Sequence, residues 1–138
     1  MNIYVIGSLA NPQVPVVANQ LRQAGFDVFS SWYCASENAD IRWREHEQGR
    51  GLTYAEALKD FAAQHVFKFD KHHLDRCDVS VLVYPAGRSG HLELGYAIGK
   101  GKRGYVVLDE EPQKWDVMLN FADGTFMSVE ELVECLKS

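Results

Sequence analysis

The stretch from Val79 to Leu108 constrains the fold more than any other part of the chain. Val79-Ser80-Val81-Leu82-Val83-Tyr84 is an apolar run of strand length, suited to a strand covered on both faces of a parallel sheet. Pro85, Gly87 and Gly90 interrupt it. From Ser89 the spacing turns helical, with Leu92, Ala97 and Ile98 available for one apolar stripe. Gly99, Gly101 and Gly104 close that helix, and Tyr105-Val106-Val107-Leu108 reads as a second buried strand. Strand, helix and strand in this order make a βαβ unit whose first strand enters a glycine-rich turn at a helix N-terminus. Such turns collect ligands, because free N–H groups and the positive end of the helix dipole point outward there. Glu93 stands out as an acid in the first turn or so of a helix otherwise flanked by apolar and small residues.

The rest of the chain extends the alternation. Asn2 to Ile6 predicts the first strand, left through Gly7-Ser8, and Pro12 to Ala24 predicts a helix with Val16, Val17, Leu21 and Ala24 on one side and Gly25 as its stop. Phe26 to Phe29 alternates as a strand does. Trp32 to Leu52 shows no clean period and reads as a long functional loop, a lid or pocket wall carrying Trp32, Tyr33 and Trp43, with room for a short helix over Arg42 to Glu47. Thr53 to Cys77 predicts one long helix, opened by a Thr53–Glu56 capping box and striped by Ala57, Leu58, Phe61, Ala62, Val66 and Phe69. After Leu108 come a short helical piece near Asp116 to Phe121, a turn at Asp123-Gly124, an edge strand over Thr125 to Met127, and a last helix from Ser128 through Leu136. The expectation is one domain over residues 1–138. Its fold class is α/β: a doubly wound, flavodoxin- or Rossmann-like three-layer sandwich on a five-stranded, mostly parallel sheet. Ligands in such sheets bind beyond the carboxyl ends of the strands, so Gly7-Ser8 and Ala86 to Glu93 are expected to face one cleft.

Composition narrows the partners. The chain has 138 residues and a net charge of −5, with no basic stripe, which argues against a nucleic-acid polymer. No apolar run reaches spanning length and residues 2–6 read as a strand rather than a leader, so no membrane partner is expected. Cys34, Cys77 and Cys135 are odd in number and far apart, which fits reduced thiols in a cytoplasm. His65, His72 and His73 lack metal-ligand spacing, and Gly99-Lys100-Gly101-Lys102 lies at a helix C-terminus, the wrong end for an anion; no metal or cofactor is expected.

On its own chemistry Glu93 reads as a structural acid at a helix start or as a working carboxylate. In a cleft, an ionised carboxylate suits displacement at a sugar anomeric carbon, given a second group to protonate what departs. The segments IYVIGSL at 3–9 and SGHLELGYAIGKGK at 89–102 resemble the nucleoside 2-deoxyribosyltransferase superfamily, which includes the nucleoside 5′-monophosphate N-glycosidases. The resemblance extends over nearly the whole chain through the order of strands and helices. It implies that Glu93 is a nucleophile attacking C1′, that Tyr4 positions that carboxylate, and that Asp70 helps protonate the leaving base. It also implies a small nucleoside or nucleotide as partner and a homo-oligomeric assembly. Six residues before Glu93 the transferases carry a sugar-contacting aspartate and the monophosphate hydrolases a phosphate-contacting serine, whereas this chain has Gly87, followed by Arg88, Ser89 and Gly90.

Three readings follow. The leading one is an enzyme cleaving an N-glycosidic bond and passing the sugar to another base or to water, with Gly7, Ser8, Trp43, Gly87, Arg88, Ser89 and Gly90 around the substrate. A 5′-monophosphate N-glycosidase is its close variant. A non-catalytic nucleotide-binding or signalling module would need no carboxylate at Glu93, and a flavodoxin-like electron carrier would have a strand-one loop richer in Ser and Thr for a flavin phosphate.

Overall fold

The computed structural model describes residues 1–138. Five strands, β1 (Asn2–Ile6), β2 (Asp27–Phe29), β3 (Val79–Val83), β4 (Arg103–Val107) and β5 (Gly124–Phe126), form one sheet in the order β2-β1-β3-β4-β5. Every pairing is parallel, so the sheet is wholly rather than mostly parallel. β3 lies at its centre and all five of its residues are buried, as its unbroken apolar run predicts.

Alternation along the strands splits the core in two. Ile3, Val5, Val79, Val81, Val83, Tyr105 and Val107 face α1 (Gln13–Gln23) and the C-terminal helix α6 (Val129–Lys137). Tyr4, Ile6, Leu82 and Val106 point the other way, toward α4 (Phe61–Arg76) and α5 (Arg88–Gly99), where Leu74, Leu94 and Ala97 close the second layer. The result is the three-layer α/β sandwich expected from the sequence.

Between β2 and α4 the structure departs from the expectation of a loop followed by one long helix. A 3₁₀ turn spans Ser31–Ala35, and α2 covers Ala39–Gly49. Its only fully buried residue is Glu47, so no apolar period marked it in the sequence. The expected helix over 53–77 is two helices, α3 (Tyr54–Leu58) and α4. The Thr53–Glu56 capping box opens α3, and Asp60 caps α4 by accepting from the Phe61 N–H. Arg50 ties the segment together, bridging Glu47 at 2.9 Å and Asp60 at 2.8 Å.

The expected apolar stripe on this stretch is a surface rather than a core face. Ala57 is buried, but Phe61 is 90% exposed and Val66 58%. On α5, Leu92 is likewise outward, and Leu94 takes the buried place. A second exposed apolar group, Trp115, Val117, Met118 and Phe121, sits on the 3₁₀ turn Val117–Phe121 and just before it. No helix is long and apolar enough to cross a membrane.

Candidate active site

The sheet reverses its winding between β1 and β3, the place where doubly wound folds open a crevice. Register sets Ile6 beside Leu82, so the chain leaves two neighbouring strands at Gly7 and Tyr84. Ser8, Ala10 and Asn11 after β1, and Pro85, Ala86 and Gly87 after β3, line one cleft of about 280 Å³. Ser8, Ala86 and Gly87 share this cleft as expected, whereas Gly7 and residues 88–93, Glu93 among them, do not line it. Asn11 joins its two sides. Nearly fully buried, it donates through Nδ2 to the Pro85 carbonyl at 3.3 Å and accepts at Oδ1 from the Gln13 N–H at 2.9 Å.

The glycines do different work. A Cβ on Gly7 would lie 2.6 Å from Val14 Cγ2, so this position lets α1 pack against the exit of β1. A Cβ on Gly90 would meet Leu82 Cδ1 at 3.0 Å and Ile6 Cγ2 at 3.3 Å, and its absence seats α5 on the sheet. Gly87 has nothing within 4 Å of a built Cβ, and its φ of −93° suits any residue. The missing side chain there leaves the cleft open instead of satisfying the backbone. Arg88 and Ser89 follow it, both exposed, in the first turn of α5.

None of the three side chains of the expected catalytic group lines this cleft; they come from β1, α4 and α5, on the face of the sheet that α4 and α5 cover. Tyr4, buried on β1, donates its hydroxyl to Glu93 Oε2 at 2.9 Å. Burial raises the pKa of Glu93 from 4.5 to about 7; the Tyr4 hydrogen bond opposes the rise and the charge of Asp70 adds to it. Burial, and after it the Glu93 charge, push the Tyr4 phenol well above its ordinary range, so it stays a donor. Asp70 stands on α4, half-buried, and burial raises its pKa as well. Its charge is felt by both Tyr4 and Glu93. Two carboxyl groups, both with raised pKa, beside a fixed phenol can divide a displacement between nucleophile and proton donor.

Beside them is an aromatic wall that the sequence did not signal. The Phe29 ring lies 5.3 Å from that of Tyr4 and stacks on His73 at 3.9 Å, with Phe69 5.9 Å away. Burial first, then the charges of His72 and Arg76, lower the His73 pKa and favour its neutral ring. Trp43, expected at the substrate, packs edge-on against Tyr54 within the α2–α3 segment and lines neither the cleft nor a second cavity. Trp32 is the tryptophan tied to the sheet, its Nε1 donating to the Val5 carbonyl at 2.7 Å. The second cavity, about 240 Å³, lies along the β2 edge among Asn2, Asp27, Phe29, His73 and Arg76, without Glu93 or Asp70.

No protein-family model and no curated protein matches the sequence. Solved structures do match the fold. A 2-deoxyribosyltransferase from the psychrotolerant bacterium Bacillus psychrosaccharolyticus superposes with a TM-score of 0.65 at 18% identity, over 96% of this chain and 90% of that one. A conserved protein from Enterococcus faecalis gives 0.65 at 14% identity, over 99% and 97%. The CMP N-glycosidase of Clostridium botulinum gives 0.53 at 13% identity, over the full length of both chains. With a parallel sheet in the order β2-β1-β3-β4-β5 and helices on both faces, the chain shares its fold with these structures.

Proposed function

We propose that the protein cleaves the N-glycosidic bond of a nucleoside or nucleotide through Glu93. The observation that carries this reading is the hydrogen bond from Tyr4 to Glu93 Oε2, with Asp70 close enough to perturb both groups. Tyr4 holds one carboxylate oxygen, which leaves Oε1 to attack C1′. As the Oε1–C1′ bond forms, the bond from C1′ to the base nitrogen breaks, and Asp70 delivers a proton to the departing base. Water or a second base then attacks C1′, the Oε1–C1′ bond breaks to release Glu93 as a carboxylate, and Asp70, left ionised by the first step, takes up the attacker's proton. The test is a panel of ribo- and deoxyribonucleosides and their 5′-monophosphates, each with and without a second base. Free base is expected from at least one of them, and a panel with no base release would sink the reading. If Glu93→Gln keeps ligand affinity and any biological output intact, the protein is a binding module instead.

A second reading, a monophosphate N-glycosidase, is favoured by one feature. The start of α5 carries Arg88 and Ser89 and has neither a capping side chain nor an acid in its first turn, which suits an anion. The uncharged nucleoside stays slightly ahead, because the net charge of −5 gives no long-range attraction for a phosphate. Comparison of a nucleoside with its 5′-monophosphate in wild type and Arg88→Ala decides. A wild-type preference for the monophosphate that disappears in the variant establishes the nucleotide as substrate; equal use of both by wild type rejects it.

The reading also includes a second copy of the chain. Phe61, Val66 and Phe67 on α4, with Trp115, Val117 and Phe121 about the 3₁₀ turn, are large apolar side chains left in water, which a second copy would cover. Sedimentation is expected at a multiple of the 15.6 kDa chain mass, and a monomer at working concentrations removes this part.

A further inference from the structure

Nothing on the cleft side fixes the turn that opens α5. Gly87 is its N-cap, extended at φ −93° and ψ −162°, and offers no side chain to the N–H groups that follow. The N–H groups of Arg88, Ser89 and Gly90, the first three of the helix, have no intrahelical acceptor. The turn is held from behind. The Gly87 carbonyl receives the His91 main-chain N–H at a long 3.4 Å and lies 2.7 Å from His91 Nδ1. Nε2 of the same ring is 2.9 Å from the Tyr84 hydroxyl, the two rings meeting edge to face.

The donors can be assigned. A carbonyl oxygen only accepts, so Nδ1 carries a proton and donates to Gly87. In the neutral ring Nε2 is then an acceptor, and the Tyr84 hydroxyl donates to it. Burial first, and the Asp116 carboxylate second, raise the Tyr84 pKa and keep that hydroxyl protonated. Tyr84 itself is anchored as the chain leaves β3, its N–H donating to the Val107 carbonyl at 3.0 Å. Support therefore runs from the sheet through a phenol and an imidazole to the carbonyl at the helix cap.

We propose that Tyr84 and His91 are positioning residues that hold the Gly87–Gly90 turn in the shape that receives the oxygens of the substrate's sugar end. The proposal rests on the reading of the cleft given above. It explains how a turn with glycine at the cap keeps one conformation while its N–H groups stay free for a ligand. It also accounts for a histidine one turn inside a helix whose ring bends back to the cap rather than out to solvent.

The test uses ribose and ribose 5-phosphate as probes, followed by the amide shifts of Arg88 to Gly90, with base-release kinetics in parallel. At least one probe is expected to move these amides in wild type, and His91→Ala to weaken it by about tenfold, the loss of one well-placed hydrogen bond to a charged or polar group. KM is expected to rise by a similar factor while kcat stays within about threefold, as for lost ground-state positioning. His91→Asn, whose amide replaces Nδ1, is expected to recover most of the loss. Tyr84→Phe is expected to cost less, and to add nothing to His91→Ala in the double variant. Nitrogen shifts of His91 are expected to place the ring proton on Nδ1. Wild-type behaviour in His91→Ala, additive losses, no rescue by Asn, a proton on Nε2 alone, or amides that neither probe moves would each overturn the proposal. Probe binding that depends on His91 in a protein releasing no base would reject the enzymatic reading and leave the clamp standing.

Discussion

Glu93→Gln is expected to abolish base release and to make the protein more stable at alkaline pH. Loss of a nucleophile costs on the order of 10³–10⁶-fold where no other group can form the covalent intermediate. The amide keeps the shape of the carboxylate and can still accept the Tyr4 hydroxyl, so the fold has no cavity to repair. The stability gain follows from the same burial that tunes the site. Folding raises the Glu93 pKa from 4.5 to about 7, so the folded state holds this proton more tightly than the unfolded chain. The group's favourable contribution is therefore complete below pH 4.5 and lost as pH rises through about 7. Thermal unfolding of Glu93→Gln is expected to match wild type near pH 4 and to occur at higher temperature near pH 8. A buried carboxylate kept only for structure predicts the opposite, a variant that unfolds more readily. Turnover above about 1% of wild type removes Glu93 from the nucleophile's role, because no such residue leaves that much behind.

The parts of this molecule that could be read in advance are those whose signal is local. The β3 run, the stops at Gly25 and Gly101 and the capping box at Thr53 each report their own conformation and are where the sequence puts them. Gly104, expected among the stops, lies inside β4, and Gly90 inside α5. Glu93 was legible because an acid among apolar and small residues near a helix start is locally odd; it stands in the second turn of α5 rather than the first. Tyr4 was not odd at all: a tyrosine in a strand reads as core, and only resemblance paired it with Glu93. The same limit hid Phe29, His73 and His91, ordinary members of strand or helix patterns whose partners lie elsewhere in the chain. Periodicity failed in two instructive ways. It missed α2, whose buried residue is a glutamate held by Arg50, because there was no apolar stripe to count. It misassigned Phe61, Val66 and Leu92, because a stripe announces that a face is apolar but not which surface covers it. The break before α4 left one trace, Asp60, a good N-cap inside an otherwise continuous helical period.

Asp70→Asn is expected to slow the release of poor leaving bases by about 10²–10⁴-fold and to leave a base that departs easily, such as an already cationic N-methylated purine, almost unaffected. An acid on α4 near its C-terminal half is misplaced with respect to the helix dipole, and it is half-buried besides. Burial raises its pKa, and its charge in turn helps raise that of Glu93. The productive arrangement has the pair share one proton, held by Asp70 while Glu93 is ionised. For a poor leaving base this makes kcat/KM bell-shaped, rising as Glu93 ionises and falling on the alkaline side as the Asp70 proton is lost. In Asp70→Asn no proton is available to share, so the surviving activity needs only ionised Glu93. Without the neighbouring charge the Glu93 pKa drops, and the profile is expected to rise with pH to a plateau and lose its alkaline limb. Kinetics from pH 5 to 9 on one poor and one good leaving base separate the possibilities. Equal slowing of both bases with the alkaline limb retained would mean that Asp70 binds substrate and delivers no proton.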